Sequence, residues 1–238
     1  MLNSNKIESK ELEFYTQKID TMSLKKYNEI LQTAMIDAGF ENQTEFQQKT
    51  ISRIKEGKDF IAIGPKGCGK STAIVSGVLQ RLEKQSEDDA PRAIIIVTDK
   101  EKTLEMEAQF LKLGRRMDLL TVIAHDKGHK VQQRIALYVG ADIVIGTAKR
   151  LYEMYIHNGL NLAKVKMLIL DDAEAILKAG SQTDILRLTE SIKRCQYMMI
   201  NDQLTDRMKK AAELFMAFPT TIVIEEKEEE ENNSQEEE

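Results

Sequence analysis

One segment of the sequence combines glycine, lysine and serine at a spacing that suits phosphate binding. Residues 64–71 fit the pattern G-x-x-x-x-G-K-[ST] at every fixed position. In such a loop the glycines allow successive backbone N–H groups to point at one anion, and the following helix directs its N-terminal dipole toward the same anion. The segment consists of Gly64, Pro65, Lys66, Gly67, Cys68, Gly69, Lys70 and Ser71, and Thr72 follows it.

Three side chains of this loop carry the predicted chemistry. Lys70 can reach the β- and γ-phosphates of a nucleotide, and the Ser71 hydroxyl can bind Mg²⁺. The Cys68 thiol can be a reactive group beside positive charge, or a small residue that fills the loop. An ordinary glycine-rich turn is the alternative for the whole segment. A β-branched run at 60–63 and helical spacing at 73–82 favour the phosphate site.

Two carboxylates, Asp171 and Asp172, directly follow the apolar run at residues 167–170. At the end of a parallel strand beside a phosphate loop, Asp171 would hold Mg²⁺ and Asp172 would polarise an attacking water. A helix N-terminus that carries acidic residues is the alternative, because the helix dipole also favours them there. The accompanying phosphate loop favours the metal site.

Short apolar runs predict the elements that position these residues. Each run has four to six nearly continuous apolar residues, as strands covered on both faces do. The runs are residues 60–63, 93–97, 119–124, 142–145, 167–170, 197–200 and 221–224. Segments with helical spacing lie between them, such as 103–113, and an amphipathic helix over 24–38 ends at Gly39. This alternation predicts an α/β fold: a doubly wound, mostly parallel sheet of about seven strands with helices on both faces.

Composition and charge exclude several classes of protein. Two cysteines in 238 residues exclude a disulfide scaffold, and no apolar run approaches the roughly 18 to 20 residues that span a bilayer. We therefore expect a cytoplasmic protein without a membrane partner. The net charge of −5 argues against a nucleic-acid partner, but residues 225–238 contain nine Glu and one Lys, which leaves +3 for residues 1–224. That tail is expected to be disordered. It either keeps the protein soluble or mimics RNA as a self-inhibitor.

The motifs from about residue 20 to 224 together resemble the first RecA-like domain of DEAD-box RNA helicases. Residues 39–47 are similar to the Q motif of that family, although Gln43 replaces its proline. The resemblance implies that Gln47 hydrogen-bonds the adenine edge and that Phe40 stacks on the adenine face, so that ATP is selected. The alternative makes Phe40 and Phe46 simple core residues.

Two further segments, residues 98–103 and 142–150, resemble motifs that grip the RNA backbone in this family. The resemblance implies weak, sequence-independent RNA contacts by Lys100, Thr147, Lys149 and Arg150. Hydroxyl, lysine and arginine donors suit phosphate contacts of this kind. The paired glycines of the family are absent, and the alternative makes the three basic residues ordinary solvated charges.

Two motifs depart from the family. Residues 171–174 stand for D-E-A-D, with Asp172 in place of the glutamate. The side chain is shorter by one methylene, and misplacing a catalytic group by about 1 Å can cost about a hundredfold in rate. Residues 201–203 (Asn-Asp-Gln) stand for S-A-T, the segment that couples nucleotide to RNA in the family.

The predicted organisation is an N-terminal extension (1–20), a RecA-like ATP-binding domain (21–224) and the acidic tail (225–238). In the family a second RecA-like domain supplies an arginine finger. We therefore expect ATP and Mg²⁺ binding with hydrolysis that is weak or depends on a partner for the arginine, and no autonomous unwinding. One alternative is a regulatory or adaptor module that docks to a helicase, an RNase or a ribosomal partner. Another is a competent ATPase that uses Asp172 directly.

Overall fold

A computed structural model of the chain describes residue 24 and residues 27–40, 42–86 and 89–225. The predicted N-terminal extension at 1–20 and all but the first residue of the acidic tail lie outside the described residues. The boundaries and roles assigned to those two segments stay predictions.

Seven strands form one parallel sheet in the order β3-β4-β2-β5-β6-β1-β7. The strands are β1 (Phe60–Ile63), β2 (Ala93–Val97), β3 (Thr121–Ala124), β4 (Ile143–Thr147), β5 (Met167–Asp171), β6 (Gln196–Asn201) and β7 (Thr220–Val223). Each strand overlaps one of the apolar runs of the sequence, and their bounds agree within two residues. The predicted α/β fold is confirmed.

Nine described helices connect and flank these strands. They are α1 (Glu29–Asp37), α2 (Glu45–Glu56), α3 (Lys70–Leu82), α4 (Lys100–Leu113), α5 (Lys130–Val139), α6 (Ala148–Ile156), α7 (Ala173–Lys178), α8 (Gln182–Glu190) and α9 (Asp206–Phe215). Helix α1 begins at Glu29 rather than at residue 24, because the Asn28 side chain caps it by accepting a hydrogen bond from Leu31 N at 2.8 Å. Gly39, at φ 83°, follows the end of this helix as predicted.

Two apolar layers cover the two faces of the sheet. One layer contains Phe46, Ile74 and Phe110 from α2, α3 and α4. The other contains Leu151 and Ile185 from α6 and α8. Because both faces are covered, the central strands are apolar along their whole length. None of the described helices combines the length and apolar character that crossing a bilayer requires.

The strand order decides which loops meet at one edge of the sheet. Strands β2, β5, β6 and β1 are consecutive neighbours, and parallel strands end at the same edge. Four segments therefore lie side by side there: the first turn of α4 after β2, Asp171 and Asp172 at β5, the residues that follow β6, and the phosphate loop after β1. In open α/β sheets, ligands bind outside the carboxyl ends of the strands.

Candidate functional site

A cavity of about 540 Å³ opens at this edge of the sheet. Its lining combines the phosphate loop with acidic and amide side chains from neighbouring strand ends. The lining residues are Lys66, Gly67, Gly69, Lys70, Ser71, Thr72, Lys102, Asp171, Asp172, Asn201 and Asp202. The structure thus brings the phosphate loop and the two aspartates into one cavity.

The loop between β1 and α3 is closed by the side chain of Lys70. Its ammonium group donates to Gly64 O at 2.8 Å and Pro65 O at 2.9 Å, and it forms an ion pair with the Asp202 carboxylate. Gly67 and Gly69 have φ values of 83° and 93°, in the left-handed region that favours glycine. These conformations explain why glycine occupies both positions.

Residues at the N-terminus of α2 contact the phosphate loop and stabilise it. The Thr44 hydroxyl donates to Cys68 O at 2.6 Å, and Gln47 and Thr44 form a capping box in which Gln47 Oε1 accepts from Thr44 N at 3.0 Å. A Cβ atom at Gly69 would lie 2.5 Å from Gln47 Nε2, so the amide of Gln47 is packed directly against the loop. This contact places the predicted adenine-reading residue next to the phosphate loop.

The aromatic residues of this region differ in burial. Phe46 is fully buried, as the core interpretation predicted. Phe40 is half-buried against the same core, and Lys112 Nζ lies 5.7 Å from the centre of its ring. The adenine contacts of Phe40 and Gln47 stay predictions.

The Cys68 thiol packs against the loop backbone. A Cβ atom at Gly64 would approach its sulfur to 2.7 Å. Burial raises the pKa of this thiol above its ordinary value, although Lys70 opposes the shift. A raised pKa disfavours the reactive thiolate, so the geometry favours a filling role.

The two adjacent aspartates have different environments. Burial, reinforced by the neighbouring Asp172 carboxylate, raises the pKa of Asp171 to about 6. Asp172 is exposed and precedes α7 with φ 64°, a left-handed conformation that is uncommon for a residue with a side chain. This strained position turns the chain sharply at the end of β5.

The residues present fit a magnesium ion with bound phosphate. Ser71 and Asp171 line the same cavity and supply hard oxygen donors, and Mg²⁺ takes such ligands together with phosphate oxygens and waters. A nearby cation would also relieve the repulsion between Asp171 and Asp172. Within the described residues, no group of three or more His, Cys, Asp or Glu side chains is arranged to hold a metal ion by itself.

The raised pKa of Asp171 leads to a prediction for stability. A carboxyl group with a pKa near 6 when folded and 3.8 when unfolded stabilises the fold below about pH 4, and this contribution is lost as pH rises through 6. Without Mg²⁺, Asp171→Asn should therefore raise the free energy of unfolding at pH 7.5 by about 1–3 kcal/mol. Urea unfolding from pH 4 to 8 in the presence of a chelator measures this difference.

The control for this experiment is Asp206→Asn on α9, where the side chain is 87% exposed. We expect this variant to follow the pH profile of the parent protein. If Asp171→Asn also leaves the parent profile unchanged between pH 4 and 6, the raised pKa of Asp171 is contradicted.

The four residues predicted to contact RNA lie near the ends of the paired strands β2 and β4, and none of them lines the cavity. Lys149 is exposed and Lys100 is half-buried. Thr147 is buried, and its hydroxyl has no hydrogen-bond partner among the described residues. The Arg150 side chain is only 4% exposed, so its surroundings favour a structural role. Direct RNA contact by these residues stays a prediction.

Three cavity residues were not among the predicted site residues: Lys102, Asn201 and Asp202. Asn201 pairs with Ile63 across β6 and β1, and Gly64 N donates to Asn201 O at 3.1 Å. This register carries Asp202 to the phosphate loop. In the sequence, Lys102 lies in the segment 98–103 and Asn201 and Asp202 lie in the segment 201–203, both of which resemble family motifs, but their place in this cavity becomes visible only once the neighbouring strands are known.

Comparisons with known proteins agree with this geometry. A family model described as DEAD/DEAH box helicase matches residues 44–228. The chain is 27% identical to the ATP-dependent RNA helicase eIF4A of Eremothecium gossypii over 207 aligned residues. The aligned region covers 87% of this chain and 51% of the relative. It is 28% identical over 201 residues to the DEAD-box ATP-dependent RNA helicase CshA of Streptococcus pneumoniae, and this alignment covers 82% of this chain and 38% of CshA. The chain thus spans about half or less of the length of these curated relatives.

A solved structure shows the same fold. The crystal structure of a DEAD box protein from the hyperthermophile Methanococcus jannaschii matches with a TM-score of 0.78 and 22% identity, covering 84% of this chain and 54% of the other. The resemblance to the first RecA-like helicase domain is thereby confirmed. Since the family model covers well over half of the sequence, the chain belongs to the DEAD/DEAH box helicase family.

Proposed function

We propose that this chain binds ATP with Mg²⁺, contacts RNA weakly, and hydrolyses ATP slowly or only with a partner. The observation that carries the proposal is the shared cavity, in which the phosphate loop faces Asp171 and Asp172. Family membership supports the nucleotide and the RNA as ligand classes.

The loop supplies what a nucleotide phosphate needs. Backbone N–H groups of the loop and the start of α3 bind the anion, and Lys70 adds a positive charge at the β- and γ-phosphates. Ser71 and Asp171 would hold the Mg²⁺ ion, which neutralises phosphate charge when bound. Asp172, beside Asp171, would orient the attacking water.

The charges of the described cavity lining support the slow hydrolysis in this proposal. The described cavity lining contains three lysines and no arginine. An arginine finger contributes about 10³ to 10⁵ in rate in related phosphoryl-transfer enzymes. We infer that a protein partner must supply this group for rapid turnover, and that the chain by itself does not unwind RNA.

Equilibrium titration with a fluorescent ATP analogue, with and without Mg²⁺, tests the nucleotide part of the proposal. Phosphate release with and without single-stranded RNA, measured on the same preparation, tests the hydrolysis part. We expect saturable, Mg²⁺-dependent binding and slow release. The absence of saturable binding would overturn the proposal, and fast release by the protein alone would favour the competent ATPase that uses Asp172.

Nucleotide selectivity gives a separate prediction for Gln47. Its amide carries both a donor and an acceptor, which suits an adenine edge. We expect Gln47→Ala to reduce the preference for ATP over GTP by about tenfold. Without the Gln47 amide, the polar edge of a bound adenine is left without its hydrogen-bond partner. Competition of the two nucleotides against the fluorescent analogue measures this ratio.

The matched control is Gln48→Ala on the same helix. The Gln48 amide donates a hydrogen bond of 3.2 Å to Gln43 O, and this contact lies outside the phosphate loop. The Gln47 variant also loses its part of the capping box, so each preparation is first checked by thermal unfolding. An unchanged ATP-to-GTP ratio in folded Gln47→Ala would show that Gln47 does not read the base.

One observation favours the adaptor alternative. Helix α5 exposes three large apolar side chains on one face: Val131 at 50%, Ile135 at 56% and Tyr138 at 80%. Exposed apolar patches of this kind often mark protein contacts. For an adaptor, binding of a helicase, RNase or ribosomal partner should be unchanged by Lys70→Ala and weakened by Ile135→Ser. Partner binding that requires Lys70 would count against it.

A further inference from the structure

The ammonium group of Lys70 has three N–H donors, and the structure gives it three acceptors. These are Gly64 O at 2.8 Å, Pro65 O at 2.9 Å and the Asp202 carboxylate. A phosphate oxygen can therefore bond to Lys70 only by displacing one of them. The two carbonyl groups belong to the loop backbone, whereas the Asp202 side chain is 43% exposed and can rotate into solvent.

We propose that Asp202 competes with the nucleotide phosphate for Lys70 and so sets the nucleotide affinity of this chain. The inference deepens the proposed function and rests on it. Asp202 stands where the family has the alanine of S-A-T, so the competing carboxylate is a departure of this sequence from the family motif.

The position of Asp202 is fixed by the sheet. Strand β6 is hydrogen-bonded beside β1, in the register that pairs Asn201 with Ile63. The Asn201 side chain accepts from Glu174 N at 3.2 Å and donates to Gln203 O at 2.7 Å. These hydrogen bonds fix the backbone on either side of Asp202. The fold itself therefore places the Asp202 carboxylate against the phosphate loop.

The charges of the cavity support competition. Three lysines (Lys66, Lys70 and Lys102) and three aspartates (Asp171, Asp172 and Asp202) line it. The positive and negative side chains of the cavity are thus equal in number, and a bound triphosphate adds several negative charges to them. Once Lys70 turns to the phosphate, the unpaired Asp202 carboxylate faces that negative charge and is repelled into solvent.

The size of the effect follows from the occupancy of the ion pair. A ligand that binds only the form with a free Lys70 has an apparent affinity reduced by the fraction of that form. An ion pair formed in about 90% of molecules weakens binding about tenfold. Removing the carboxylate should therefore strengthen the binding of both ATP and ADP, because Lys70 reaches the β-phosphate that they share.

The test compares the parent protein with Asp202→Asn, Asp202→Ala and the control Asp206→Asn. Asp206 lies four residues along the chain, pairs with Lys209 outside the cavity and is 87% exposed. Titration with a fluorescent ATP analogue, followed by competition with ATP and ADP, is done at fixed Mg²⁺ concentration. We expect both Asp202 variants to bind about tenfold tighter than the parent protein and the control to match it.

A second readout needs no nucleotide. The acetylation rate of Lys70 by acetic anhydride, measured by mass spectrometry against exposed Lys210, should rise severalfold in Asp202→Ala. Equal nucleotide affinity in all four proteins, or an unchanged acetylation rate, would overturn the competition while leaving ATP binding intact. Absence of nucleotide binding in every protein would overturn the proposed function and this inference together, whereas binding only in the Asp202 variants would support the inference.

Discussion

Lys70→Ala is expected to weaken ATP binding by about 100-fold. A hydrogen bond to a charged group contributes about 1.5–3 kcal/mol, and each 1.4 kcal/mol corresponds to a factor of ten. The variant loses the positive charge at the phosphates and also leaves Asp202 as an unpaired carboxylate in the cavity, which repels the nucleotide. Titration with a fluorescent ATP analogue in the presence of Mg²⁺ measures the change in dissociation constant.

The control for this prediction must separate binding from folding, because Lys70 also bonds to two loop carbonyls. Lys210→Ala removes an exposed lysine from α9 and should bind ATP as the parent protein does. A small shift in melting temperature of Lys70→Ala would show that the fold survives. If that folded variant binds ATP within threefold of the parent protein, the phosphate role of Lys70 is wrong.

Arg150→Ala is expected to lower the free energy of unfolding by about 3 kcal/mol. The buried guanidinium donates to Asp126 O at 2.8 Å and to Gln133 Oε1 at 3.2 Å, and pairs with Glu153 at 3.2 Å. Removing one partner of a buried ion pair typically costs about 3–5 kcal/mol, and the partly exposed Glu153 places this case at the lower end. The melting temperature should fall by about 6–12 °C.

Lys149→Ala is the matched comparison, because its exposed side chain lies one residue away on the same helix. Its stability should stay within about 0.5 kcal/mol of the parent protein. If the backbone contacts implied by the resemblance exist, this variant should weaken RNA binding and reduce its salt dependence. An Arg150 variant that keeps its stability but loses RNA affinity would contradict the structural role assigned to it.

These two variants show how a motif residue can be read differently from sequence and from structure. Thr147 and Arg150 lie in the segment 142–150, and its resemblance to a family motif implies a contact with RNA. In the fold, Arg150 instead holds the turn between β3 and α5, where it also reaches Gly128 O at 3.4 Å. The charge of an arginine is visible in a sequence, but its burial depends on which segments fold over it.

Much of the architecture was predictable because its signals are local. The seven strands follow from short apolar runs, since strands covered on both faces need apolar residues at nearly every position. The phosphate loop follows from glycine, lysine and serine at fixed spacing, because its backbone folds around the anion within one segment. Asp171 and Asp172 were likewise identified from their place at the end of an apolar run.

The tertiary structure alone decided which of these segments meet. Strands β1 and β6 are separated by more than 130 residues in the chain, yet their pairing brings Asp202 to Lys70. Strand β2 lies beside β5, and this neighbourhood adds Lys102 to the same cavity. The order of strands in a sheet is a non-local property, set by packing among all elements together. For this chain the sequence determined the chemistry of the loop, and the fold decided which carboxylate competes for its lysine.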